Sequence, residues 1–274
     1  MLNIFTLTWN GKDKLCKLKD SLIPALDGID YQWFIKDNGS KDSTVEETST
    51  WGDKVTTIAY KDNHQNFSAG MNYLFNVASP KDNDLVLLLN NDVIINDKTS
   101  LKNMINIINN TSKVGAVGAR LMYNDTDKLQ HAGVVFHKSH KSPMHFRAGQ
   151  KSDAHSEKDR LFQVVTGAVL LTKAEYFKKS CSDNKSGLSG MDENYHWAFD
   201  DVDLCLSIKY NMEKEIVYCG RTNIFHEESA TLKKNPTNLL FMRHNLNHLK
   251  NKWSKRYVLD EDIYNRDTKY NLYK

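Results

Sequence analysis

The chain has 274 residues, 40% hydrophobic and 26% charged, an ordinary composition with enough apolar mass to bury the core of one large α/β domain. A formal net charge of +3 is too small to imply a polyanionic partner by itself. No apolar run is long enough to cross a bilayer, no secretory leader is recognisable, and Cys16, Cys181, Cys205 and Cys219 form neither a C-x-x-C pair nor a disulfide framework, which together predict a cytoplasmic protein.

Residues 3–8 predict a strand, and Leu15, Leu18, Leu22 and Leu26 then recur at helical spacing, with Pro24 near the helix end. A second strand over 31–36 closes on Asp37-Asn38-Gly39-Ser40, a strong turn signal. A short helix over 43–50 and a third strand over 55–60 follow. Phe67, Met71, Leu74, Phe75 and Ala78 mark the next helical face. Leu85–Leu89 reads as a strand buried on both faces, and Leu101, Met104, Ile105 and Ile108 as a further amphipathic helix. This alternation predicts a mostly parallel central sheet flanked by helices. The second half is less regular. Strands are expected at 114–123, 134–136, 163–172 (centred on Thr166-Gly167-Ala168) and 215–219, with a helix after Asp200 and another over 238–253.

The greasy run LVLLLNNDVII breaks at Asn90-Asn91-Asp92, placing two amides and a carboxylate at the end of a buried strand, where they need partners. A turn supplies such partners, and so does a ligand. Thr8-Trp9-Asn10 and Asp37-Asn38-Gly39-Ser40 stand at the ends of two other strands, and α/β sheets bind ligands at that edge. Turn chemistry accounts for any one of the three clusters and less well for all of them.

Charge is unevenly placed. Lys233, Lys234, Arg243, Lys250, Lys252, Lys255 and Arg256 follow one another with no acid between them. The segment 137–160 is basic at first and carries His137, His140, His145 and His155 at irregular spacing, which fits a flap or acceptor contact better than a zinc site. Either region suits a polyanion or an anionic membrane, and a solvated face accounts for them equally well.

TLTWN, DNGSKDST, LLLNND, TGAVLLT, MDENYHWAFDDVDLC and FHEES, in this order and spacing, resemble the inverting family 2 glycosyltransferases of the GT-A (nucleotide-diphospho-sugar transferase) fold. The resemblance spans residues 3–253 and is closest to a rhamnosyltransferase-like branch in which N-N-D stands for the metal-binding D-x-D motif. It implies a single glycosyltransferase domain over 1–274, with a nucleotide-sugar-binding half (1–125), an acceptor and catalytic half (126–230) and a basic C-terminal helical extension (231–274). By the same resemblance Thr8 and Asn10 border the nucleotide, Asp37 bonds the base, Asn90 or Asn91 lies near the ribose or sugar, and Asn38 and Asn72 also contact the donor. Asp92 and His226 bind Mn²⁺ or Mg²⁺ across the two phosphates, and Asp201 is the catalytic base. Asp200, in place of the usual Glu, lies with His196 and Trp197 on the acceptor side.

Simpler roles exist for several of these residues. Asp200 and Asp203 have the N-cap and N3 spacing of the helix that follows, His226 could be an ordinary bonded histidine, and His196 and Trp197 could pack in a core. One segment departs from the family: in NHQNFSAGMN, His64 and Asn66 replace an Asn and a Gly. The expected reaction is metal-dependent inverting transfer from a UDP- or dTDP-sugar to a hydroxyl of a polysaccharide or lipid-linked saccharide, with the basic C-terminal region beside a membrane. The alternative acceptor is a hydroxyl-bearing nucleic-acid base. The oligomeric state is left open. A sugar-phosphate nucleotidyltransferase is disfavoured because no Gly-rich phosphate loop follows the first strand.

Overall fold

The computed structural model describes residues 1–60, 66–196, 198–227, 236–265 and 273. In chain order the elements are β1 (Leu2–Thr8), α1 (Lys12–Ala25), β2 (Tyr31–Asp37), α2 (Thr44–Thr48), β3 (Val55–Ala59), α3 (Phe67–Ala78), β4 (Leu85–Leu89), β5 (Val93–Ile95) and α4 (Ser100–Asn110). The second half continues with β6 (Val114–Tyr123), β7 (Leu129–His131), β8 (Val134–Phe136), β9 (Pro143–His145), β10 (Arg160–Phe162) and β11 (Val169–Lys173). It closes with α5 (Ala174–Lys179), α6 (Asp200–Asn211), β12 (Glu215–His226), α7 (Pro236–Trp253) and α8 (Glu261–Asn265).

One sheet in the order β10-β12-β6-β11-β4-β1-β2-β3 carries both halves, with β5 on β12 and β7 on β6, while β8 and β9 form a separate hairpin. Every residue of β4 is buried, as its unbroken apolar run requires. Alternate residues feed two cores: Leu85, Leu87 and Leu89 join Leu15, Leu18 and Leu22 of α1, while Val86 and Leu88 join Met71 and Leu74 of α3. Each such side chain contributes about 1.5–3 kcal/mol on burial.

Strands β3, β2, β1 and β4 run parallel, as does β12 beside β6, but β11 lies antiparallel between β4 and β6. An antiparallel strand brings its beginning to the edge where parallel strands end, so Ala168, just before β11, meets Asn90, whose N–H donates to the Ala168 carbonyl at 2.9 Å. Of the strand expected over 163–172 only the part from Val169 forms, as β11, with Val164 in an isolated bridge. The segment between leaves the ladder because the N–H groups of Thr166 and Gly167 go to side chains. Strand β12 runs well past the expected 215–219. A register shift between Cys219 and Ile224, with Arg221 and Asn223 exposed, hides its continuation from periodicity. Asn66 is an extended N-cap of α3, accepting the Ala69 N–H at 2.8 Å, so it does not supply the left-handed turn that a replaced glycine would imply. Residues 63–65 of that segment lie outside the described residues. Among the described residues no helix is long and apolar enough to cross a membrane, and the four cysteines are free thiols.

Candidate active site

Thr8 and Asp37 stand opposite each other where β1 and β2 end. Buried Asp37 accepts the N–H groups of Gly39 (2.9 Å) and Ser40 (2.8 Å) and the Ser40 hydroxyl, so the turn folds around its own acid. The Ser40 hydroxyl oxygen accepts the Asn10 N–H at 2.7 Å, and Asn10 Oδ1 accepts the Lys41 N–H at 2.8 Å, which ties the two loops together. Thr8 accepts Asn91 Nδ2 at 3.1 Å. A Cβ on Gly11 would stand 2.3 Å from the Thr8 hydroxyl, so only glycine lets the loop pass there. Lys36, unmarked by any sequence pattern, is buried beneath this edge, with its ammonium 2.5 Å from Asn38 Oδ1 and 4.8 Å from the Tyr60 ring centre. Burial lowers its pKa.

Strand β5 pairs with β12 in the register His226↔Val93, which sets the imidazole beside Asp92. Asp92 is 6% exposed, with His226 Nε2 3.1 Å from one carboxylate oxygen and Lys14 Nζ 3.2 Å from the other. Gln130 orients the ring: its amide nitrogen donates to the His226 carbonyl (3.3 Å), which turns Oε1 toward Nδ1 at 2.6 Å. Oε1 only accepts, so Nδ1 carries the proton, and Nε2 presents its lone pair toward Asp92 and the Asn90 amide at 3.2 Å. A lone pair facing a carboxylate oxygen is stable only with a cation between them, either a second ring proton or a metal ion. Among the described residues no third acid, cysteine or histidine joins this pair. One carboxylate and one imidazole fit a borderline divalent ion whose shell is completed by a bound anion.

Helix α6 starts after Ala198 (φ 63°) and Phe199 (φ 69°), two consecutive non-glycine residues in left-handed conformation, a strain of about 1–3 kcal/mol each. Asn245 of α7 donates to the Ala198 carbonyl at 3.1 Å and holds this turn. Asp201 then accepts the Gly167 N–H at 2.8 Å on one oxygen and the Val202 N–H at 2.8 Å on the other. The N-cap residue of α6 is Phe199, which has no side-chain acceptor; Asp200 instead accepts the first-turn Asp201 N–H at 3.1 Å, while Asp203 makes no such bond to the helix start. Asp203 is buried instead and receives Trp253 Nε1 (2.6 Å), Lys252 Nζ (2.9 Å) and the Tyr195 hydroxyl (3.1 Å).

Burial and the charge of Asp201 beside it push the Asp200 carboxyl from 3.8 up to about 7. The folded protein therefore keeps a proton there that the unfolded chain has lost, and stability falls as pH rises from about 4 to about 7. Asp200→Asn mimics the protonated form. Its melting temperature is expected to match the parent near pH 4 and to exceed it increasingly up to pH 7, with a constant gain above. Thermal unfolding across that range checks this, and a gain independent of pH would refute it.

Asn90, Gln130, His226, Asp200 and Asp201 line one chamber of about 400 Å³. A second, about 550 Å³ and walled by Val134, Met144, Phe199, Met242 and Leu246, shares His145, Ala198, Asp200 and Asp201 with the first. The sheet edge carrying Thr8, Asn10, Asp37, Asn38, Asn91 and Asp92 connects to Asn90 through the N-N-D turn.

Asn72 and His196 stand apart from both chambers. Asn72 is fully buried, accepts the Met191 N–H (2.7 Å) and donates to the Met191 carbonyl (2.8 Å) and Glu193 (3.0 Å), so it clamps the loop ahead of α6 and lines neither chamber. His196 is exposed and packs on Phe241 with ring centres 5.7 Å apart, also outside both linings. Trp197, Lys233 and Lys234 lie outside the described residues.

Three cations of the basic segment bond within the fold, although Arg243, Lys252, Lys255 and Arg256 are exposed. Lys252 bridges Asp192 and Asp203 at 2.9 Å each, Arg256 binds Asn211 and the Tyr210 carbonyl near the end of α6, and Lys250 donates to the His140 carbonyl. The histidines of 137–160 do not gather at one point, although His137 and His140 stack with ring centres 4.4 Å apart. His137 bonds the turn it begins, His155 contacts Arg160, and His145 meets His131.

The sequence profile of glycosyl transferase family 2 matches residues 4–170. No protein of curated function matches the chain by sequence. In three dimensions it is similar to S. aureus TarS 1-349 (TM-score 0.59, 11% identity, covering 96% of this chain and 68% of that one), which is also known in complex with UDP-GlcNAc. It is similar as well to the mannosyltransferase PcManGT of Pyrobaculum calidifontis in complex with GDP-Man and Mn²⁺ (0.60, 11% identity, 96% and 68%). GalNAc-T7 with UDP, GalNAc and Mn²⁺ aligns at 0.62 and 10% identity over 83% of this chain, which spans 44% of that chain's length. At these identities the likeness establishes the fold.

Proposed function

Because the chain belongs to glycosyl transferase family 2 and is a glycosyltransferase of the GT-A fold, we propose that it transfers a sugar, with inversion, from a UDP- or dTDP-linked donor to a hydroxyl of a saccharide or lipid-linked saccharide, with the help of Mn²⁺ or Mg²⁺. The observation that carries this reading is a single chamber lined both by His226 and Asn90, next to Asp92, and by Asp200 and Asp201. The donor's diphosphate and an acceptor's hydroxyl therefore have room to meet.

In this reading Thr8, Asn10, Asp37 and Asn38 receive the nucleoside, and Asn90 and Asn91 the ribose or sugar. Asp92 and His226 hold the ion, with Gln130 keeping the imidazole in its ligating tautomer. When bound, the ion supplies charge neutralisation for the diphosphate leaving group. Lys14 adds a positive charge at the same place. Asp201, fixed by Gly167, takes the proton of the acceptor hydroxyl, and Asp200 with its raised pKa keeps a second negative charge from crowding that base.

The test is a thermal-shift screen of UDP-, dTDP- and GDP-sugars with and without Mn²⁺, followed by mass analysis of products from saccharide and lipid-linked acceptors. A UDP- or dTDP-sugar is expected to raise the melting temperature only with the ion present, and to add one sugar mass to an acceptor. Stabilisation by none of the donors would overturn the reading.

A further inference from the structure

Two of the histidines that the mechanism does not use meet beside the chambers. His131 is fully buried, and its Nδ1 stands 2.9 Å from Nδ1 of His145, the rings crossing at 81° with centres 5.0 Å apart. The direction of that bond is fixed from behind. The Thr166 N–H donates to His131 Nε2 at 3.4 Å, so that nitrogen offers a lone pair and carries no proton. Burial, reinforced by His145 and His226, pulls the His131 pKa well down, and the ring is neutral. Its single N–H is therefore on Nδ1 and donates to His145. His145 Nδ1 is then an acceptor, and a neutral His145 carries its proton on Nε2.

His145 lines both chambers, at the junction it shares with Asp200 and Asp201. The amide that follows Thr166, that of Gly167, donates to Asp201. Two consecutive N–H groups of one turn thus hold the His131 ring and the Asp201 carboxylate in register. An attacking hydroxyl must aim its proton at a base and one lone pair at the sugar carbon, and its second lone pair accepts a hydrogen bond without hindering either.

We propose that His145 is an acceptor-positioning residue: its Nε2–H donates to the hydroxyl that Asp201 deprotonates, and buried His131 locks it in the donating tautomer. The role rests on the glycosyltransfer reading above. In the step it serves, the O–H proton passes to Asp201 and the oxygen lone pair forms the new C–O bond. The old sugar–phosphate C–O bond breaks, its electron pair leaving with the diphosphate. His145 keeps its proton throughout.

Long-range ¹H–¹⁵N correlation of the imidazole rings in the full chain, at pH 8 and without substrate, reports each tautomer directly. His145 is expected as the Nε2–H form and His131 as the Nδ1–H form. His131→Leu is expected to release His145 to a tautomer mixture, while His131→Asn, which keeps a side-chain N–H near the Nδ1 position, retains the Nε2–H form. A mixed or Nδ1–H His145 in the parent overturns the positioning role. If His131→Leu does not fold, the parent and His131→Asn decide the question. On an acceptor identified by product mass, His145→Leu is expected to raise the acceptor KM at least ~10-fold, with partial recovery in His145→Gln and no change in donor Kd. An unchanged acceptor KM also overturns the role. Correct tautomers with no donor supporting transfer would instead bring down the glycosyltransfer reading, and this role with it.

Discussion

Replacing Asp201 by Asn is expected to lower kcat by ~10²–10⁴-fold while leaving affinity for the nucleotide-sugar nearly unchanged. The substitution keeps the shape of the side chain and one oxygen for the Gly167 N–H, which now donates at 2.8 Å. It removes the capacity to take a proton from the acceptor at neutral pH. Because Val202 also donates to this carboxylate at 2.8 Å, some loss of stability is expected as well, and the melting temperature must be measured beside the rate. Asp200→Asn is the matched control, one residue away on the same turn of α6. If Asp201→Asn turns over near the parent rate, or if its loss only follows its melting temperature, Asp201 leaves the mechanism and Asp200 takes its place as the base to test.

Asp92→Ala is expected to abolish ion-dependent donor binding altogether. Titration calorimetry of a UDP-sugar, with Mn²⁺ or with chelator, should show a large difference in the parent and none in the variant. Asp92 closes a strand instead of filling a core, and its backbone carbonyl still accepts the Glu227 N–H, so the fold is expected to survive. His226→Ala should weaken the ion dependence more mildly. Gln130→Leu tests the tautomer argument from outside the ligand set: without Oε1 as acceptor for Nδ1, Mn²⁺ affinity should fall ~10–100-fold. Equal donor affinity of the parent with ion and with chelator would remove the metal from the proposal.

The local chemistry of the chain was legible before any coordinates. Five apolar residues followed by N-N-D read as a buried strand that ends in a polar turn, and the structure places Leu85–Leu89 and Asn90 accordingly. The turn around Asp37 follows from Asp-Asn-Gly-Ser bonding its own backbone, and the ordered motifs sufficed to identify the family. These features depend on neighbours within a few residues, which is the range over which periodicity and turn propensity act.

What the tertiary structure alone decided is which distant group answers each buried polar one. Gln130 against His226, Lys14 against Asp92, Thr166 against His131 and Lys252 against Asp203 are pairings set by strand register and helix packing. The antiparallel insertion of β11 and the irregular register of β12 create two of these meetings, and neither leaves a periodic trace in the sequence. The same reason gave one member of a mostly exposed run of cations an internal partner: a buried carboxylate must find a positive partner, and packing brought Lys252 to Asp203. The sequence by itself determined the family, the sheet edge and the acids. Only the packed sheet determined which proton each imidazole carries, because that depends on partners that a residue's own neighbours do not specify.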